Sequence, residues 1–184
     1  MLVLIGWIGT VLYLINHAYI SFVRHWKPNI YYGGNLLAAV VLVISSLAVS
    51  SYQAVFINAF WAMVSLAILR HWPINKIPAS TRLFYLGLFV FVSYFCYQYI
   101  ASGVINIALL GWSSAYAFTA GYLLFCCKKL NHLAYLLLNA YAAIVLLPQL
   151  WQDQNLPVFA LEIAWAAISL VGAVKRVREP HLMD

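Results

Sequence analysis

One carboxylate lies deep inside an apolar stretch of this 184-residue chain: Glu162, in the run VFALEIAWAAISLV. An ionised group at the centre of a bilayer costs at least about 2.5–3.5 kcal/mol, so an acid held there is expected to bind a ligand or a proton. The plainer alternative is a protonated Glu that bonds a neighbouring helix. Trp165 follows Glu162 by three residues, on the same face of a helix. Asn58 and Trp61 stand in the same relation within VFINAFWAMVSLAIL. Both Trp residues fall in the middle of apolar runs, too deep for the interfacial belt where Trp is usual. An aromatic floor for a flat or apolar-faced solute accounts for them, and so does ordinary core packing.

Other polar residues in apolar surroundings are few. Asn16, His17 and Asn35 come to similar depth near one end of their helices, and a hydrogen-bonded inner polar cluster is the expectation. His17 has no acidic or Cys partner at ligand spacing, so neither a metal nor a haem is expected. His25, His71, His132 and His181 fall in connections, at a span edge or in the tail, and are expected to be solvated. Cys96, Cys126 and Cys127 show no metal-ligand spacing, and the adjacent pair is badly placed for a disulfide. Phosphate-cradling loops, nucleophile elbows and paired carboxylates do not occur, so the expectation is a protein that is not an enzyme and carries no cofactor. No Asn-x-Ser/Thr sequon is present.

The elements that must position these residues follow from composition. Apolar residues make up 66% of the chain and charged ones 8%, with a mean hydropathy of +0.91, which excludes a water-soluble domain. Spans need about 20 apolar residues each. The runs predict helices near 2–23, 30–50, 53–69, 83–102, 105–126, 131–150 and 156–174, the first being retained rather than cleaved as a signal. Small residues at Gly6, Gly9, Thr10, Ala38, Ala39, Ala142, Ala143, Ala166 and Ala167 are expected at close helix contacts.

Charge then orients the bundle. With the N-terminus outside, Arg24, Lys27, Arg70, Lys76, Arg82, Lys128, Lys129, Lys175, Arg176 and Arg178, all ten cations, fall on the cytoplasmic side, while Asp153 falls outside. This scattering at helix ends is a topology signal, so nucleic acid is not an expected partner.

The chain also repeats itself. Gly6-Trp7 recurs as Gly111-Trp112, and residues 35–69 align without gaps on 139–173, pairing Asn35 with Asn139, Trp61 with Trp165 and Ser65 with Ser169. Two three-helix units, 1–70 and 105–174, face the same way only if a single span lies between them. The segment 71–104 supplies a loop and that span, and 175–184 forms a basic cytoplasmic tail. The expected fold is therefore all-α, seven transmembrane helices as 3+1+3 parallel repeats, N-out and C-in, enclosing a central space.

Repeat one, with its Gly-Trp-x-Gly, Leu-x-Asn and Asn-x-x-Trp signatures, resembles a small bacterial three-helix membrane domain family. That family is similar in turn to the PQ-loop superfamily, which includes the SWEET and SemiSWEET sugar transporters, and to the lipid A biosynthesis N-terminal domain. The resemblance implies a bundle in the bacterial cytoplasmic membrane with a central solute site. Its counterparts here are Asn58 and Trp61 in helix three and Glu162 and Trp165 in helix seven, with Asn35 and Asn139 beside them. Glu162 in place of Asn departs from a neutral-sugar site, and Pro148-Gln149 lies in the wrong helix for the superfamily's motif. A small-solute transporter is expected. The alternatives are a membrane subunit that binds a partner complex or lipid, and a membrane enzyme acting on lipid or quinone. Expected partners are the bilayer, a small solute, and a membrane protein or second copy of the chain.

Overall fold

The computed structural model describes residues 2–23 and 25–178. Arg24, one of the predicted cytoplasmic cations, and His181, in the tail, lie outside the described residues. Among the described residues are seven α-helices: α1 Leu2–Phe22, α2 Pro28–Leu47, α3 Tyr52–Leu69, α4 Thr81–Ser102, α5 Ile107–Cys126, α6 His132–Gln152 and α7 Leu156–Arg178. All seven are long and apolar enough to cross a bilayer.

Local chemistry sets their ends. Pro28 opens α2, where its missing N–H costs nothing. Ser80, Asn106 and Asn131 cap α4, α5 and α6 by accepting from the backbone N–H groups of Leu83, Leu109 and Ala134. Gly103, at φ 67°, stops α4 in the left-handed conformation that a side chain would disfavour. At the other extreme α7 outruns its predicted end. Lys175, Arg176 and Arg178 form its last turn, where cations complement the helix dipole, so the expected tail is helical as far as Arg178.

The helices pack as a ring. α1 lies against α2, α2 against α3, α3 against α5, α5 against α6, α6 against α7, and α7 against α1, while α4 packs on α5 from outside. α4 leaves Leu83, Phe89, Val90, Tyr97 and Ile100 exposed, a face that lipid accommodates and water does not. Close approach inside the ring depends on the small residues: Ala38, Ala39, Ala142 and Ala143 are wholly buried. A Cβ on Gly9 would meet Leu42 Cδ2 at 2.8 Å. Ala167 departs from its group, since it faces outward.

Charge separates by end. Lys129 Nζ donates to the carbonyls of Ile77 and Ala79 at 3.3 and 2.6 Å, and Lys175 Nζ lies 4.9 Å from the Phe22 ring centre. His132, expected to be solvated, is half-buried at this end, 3.5 Å from Arg176 and against Phe125. Asp153 sits at the opposite end, accepting from Ser51 Oγ at 2.6 Å and Gln149 Nε2 at 2.8 Å.

Candidate functional site between the repeats

Asn58 and Glu162 are 5% and 6% exposed, so neither faces lipid. One turn further along the same helices, Trp61 and Trp165 meet with ring centres 5.1 Å apart. Tyr13 of α1 packs edge-on against both, at 5.6 and 5.7 Å, and Phe118 of α5 does the same at 5.5 and 6.5 Å. Rings from four helices thus occupy the axis where a central space was expected. Aromatic bodies fill that volume because α3 and α7 both turn their Trp face inward.

The next layer toward the basic end is polar. His17 stacks on Trp165 at 3.7 Å, and its Nε2 lies 3.0 Å from Ser169 Oγ. On the other side Tyr122 tilts against Trp61 at 5.1 Å, its hydroxyl 3.0 Å from Ser65 Oγ. These two arrangements are copies of each other. The α1 and α5 partners are 105 residues apart (118 − 13, 122 − 17) and the α3 and α7 partners 104 (165 − 61, 169 − 65). Tyr122 is therefore the repeat counterpart of His17.

The two Asn residues differ in their use. Asn139 accepts from Trp165 Nε1 at 2.8 Å and donates to the Tyr135 carbonyl at 2.7 Å. Asn35 instead donates through Nδ2 to Ser65 Oγ at 2.8 Å and Tyr122 Oη at 3.2 Å. Asn16 donates to the Tyr31 carbonyl at 3.1 Å. The expected single cluster of Asn16, His17 and Asn35 is replaced by separate bonds, because these residues point toward three different neighbours.

Buried polar atoms are nearly always paired. Along this axis Glu162 Oε2, Tyr13 Oη, Trp61 Nε1, Asn35 Oδ1 and His17 Nδ1 are buried without a hydrogen-bond partner among the described residues. The set offers donors and acceptors to a small molecule but no nucleophile paired with a base. Among the described residues no three His, Cys, Asp or Glu side chains group as metal ligands.

Beyond this layer the end opposite the cations is closed by bonds between the two halves. Besides Ser51 to Asp153, Asn155 Nδ2 donates to Ser46 Oγ at 3.1 Å and Thr10 Oγ1 to the Pro157 carbonyl at 2.8 Å. The reading of residues missed Tyr13, Phe118 and this latch. Extending the 105-residue offset along α1 would have found the first two, whereas the latch uses the equivalent positions Ser51 and Asn155, which are unlike residues with different partners in the other half and so left no identity to notice.

One protein-family model matches the chain twice, over residues 2–75 and 107–180. The chain belongs to this family. Each match takes in three consecutive helices, α1–α3 and α5–α7, and α4 falls between the two. The family domain is thus present in duplicate, which is what the paired contacts around Trp61 and Trp165 display from inside. No curated protein and no solved structure matches the chain.

Proposed function

We propose that this duplicated family protein is a small-solute carrier of the bacterial cytoplasmic membrane, built as 3+1+3 parallel repeats with the N-terminus outside. The two units rock about the Trp61–Trp165 contact to expose the axis to one side and then the other. The observation that carries this reading is the row of unpartnered buried polar atoms beside equivalent Trp residues from both units. Glu162 suits a solute that donates hydrogen bonds or carries positive charge better than a neutral sugar. The resemblance to PQ-loop transporters gives the same architecture. Flux measured in proteoliposomes against a panel of small cationic and neutral solutes tests the proposal. Saturable uptake that Glu162→Gln abolishes supports it; uptake indifferent to Glu162 removes the site.

The ring-filled axis favours a second reading, a membrane subunit whose rigid body binds a partner complex or lipid. Stoichiometric co-purification with a partner, without flux of any solute, would select it.

A further inference from the structure

The two seams where the repeats meet are not alike at the basic end. At the α1–α7 seam, α7 runs straight on to Arg178 and Lys175 covers Phe22. At the α3–α5 seam, α3 stops at Leu69 and the chain doubles back through His71, at φ 57°. A short 3-10 turn, Ile74–Lys76, then buries Ile74. Cys127 Sγ holds that turn by donating to the Ile74 carbonyl at 3.2 Å. Between the turn and the two helices lies a cleft of about 440 Å³ lined by apolar side chains, among them Phe60, Met63, Ala67, Trp72, Ile77 and Leu123.

Its surroundings are cationic. Arg70 and Lys76 lie on the connection that forms the cleft, and Lys128 and Lys129 on the neighbouring one, tied to it by the Lys129 bonds to Ile77 and Ala79. All four are exposed. The acids among the described residues are Asp153, at the opposite end, and Glu162, inside the axis, so no acid among the described residues neutralises this rim. Trp72, 65% exposed beside the cleft, is placed as an interfacial Trp would be.

We infer that this cleft is a binding site for one anionic phospholipid, independent of whether the axis carries a solute. An acyl chain fills the apolar cleft and the phosphate lies among Arg70, Lys76, Lys128 and Lys129. Charge complementarity selects the occupant: a zwitterionic lipid would fill the cleft equally but leave the cations uncompensated. A volume in the range of ordinary ligand sites fits one chain rather than a folded partner.

Native mass spectrometry of the whole delipidated chain, mixed with equal amounts of phosphatidylglycerol and phosphatidylcholine, tests the inference. The expected result is one retained phosphatidylglycerol, favoured by about tenfold, equivalent to 1.4 kcal/mol. Arg70→Gln with Lys76→Gln, both exposed and safe for folding, should reduce that preference to parity. Ala67→Leu, which narrows the cleft, should lower retention of both lipids. Equal retention of the two lipids by the unaltered chain, or a preference that survives the charge substitutions, would overturn it. So would displacement of the lipid by excess inorganic phosphate, which would mark a free-anion site.

Discussion

The Trp165 indole donates to Asn139 at 2.8 Å, whereas the indole of Trp61, its equivalent, reaches no acceptor among the described residues although Asn35 stands in the matching position. Two copies of one sequence pattern thus hold their aromatic pair by different means. In the second unit Asn139 anchors the Trp. In the first, the Asn35 amide is drawn away to Ser65 and Tyr122, because α5 supplies a hydroxyl where α1 supplies the His17 ring.

That difference predicts unequal costs for equal substitutions. Trp165→Phe leaves the Asn139 carbonyl buried and unpaired, a loss of about 1–3 kcal/mol beyond the ring area removed. Trp61→Phe forfeits area alone. Unfolding in mixed micelles should therefore show the first variant less stable than the second, and equal stabilities would contradict the assignment.

The layer beneath the Trp pair should be coupled on both sides. A double-mutant cycle between Tyr122→Phe and Ser65→Ala should give an interaction of about 0.6 kcal/mol, at most about 1.7, as should His17→Phe with Ser169→Ala. Zero coupling in both cycles would mean that these polar contacts are incidental to the fold.

Much of this was legible beforehand, for identifiable reasons. Helix positions followed from apolar run length, and the pairing of Trp61 with Trp165 from a fixed offset, since both signals are local or periodic. What packs between equivalent helices is neither. Tyr13 and Phe118 lie on the 105-residue offset but share no side-chain chemistry beyond a ring, so what their equivalence does became visible only where both meet the same two Trp residues. The doubled-back chain after α3 depends on His71 adopting a left-handed conformation, which no hydropathy pattern announces. Glu162 was found by scarcity alone, and its burial needed coordinates.

Close contact of α1 with α2 should tolerate no added bulk at Gly9. Gly9→Val would push into Leu42 and Val41, an overpacking cost of about 1–3 kcal/mol. The check is thermal unfolding, with Gly33→Val as a control, because nothing lies within 4 Å of that glycine's missing Cβ.

Cys127 lies outside the spans, and burial raises its thiol above the ordinary range, with Lys129 opposing. A raised thiol carries less thiolate at neutral pH, so alkylation should be slow at pH 7 and accelerate only above the pH at which an ordinary cysteine is already reactive. Mass mapping after iodoacetamide treatment across pH would show it; a Cys127 that reacts as fast as a free thiol at pH 7 would contradict the packing of the turn at Ile74.

The carrier account requires the Ser51–Asp153 and Asn155–Ser46 latch to open. Spin labels at Ala48→Cys and Gln152→Cys, repeat-equivalent and exposed positions at that end, report it directly by pulsed electron resonance in lipid nanodiscs, with Cys96, Cys126 and Cys127 replaced. The account predicts two separations in exchange, the longer gaining population in Asp153→Asn. A single narrow separation, unmoved by that substitution and by any solute, would leave a rigid bundle and no carrier.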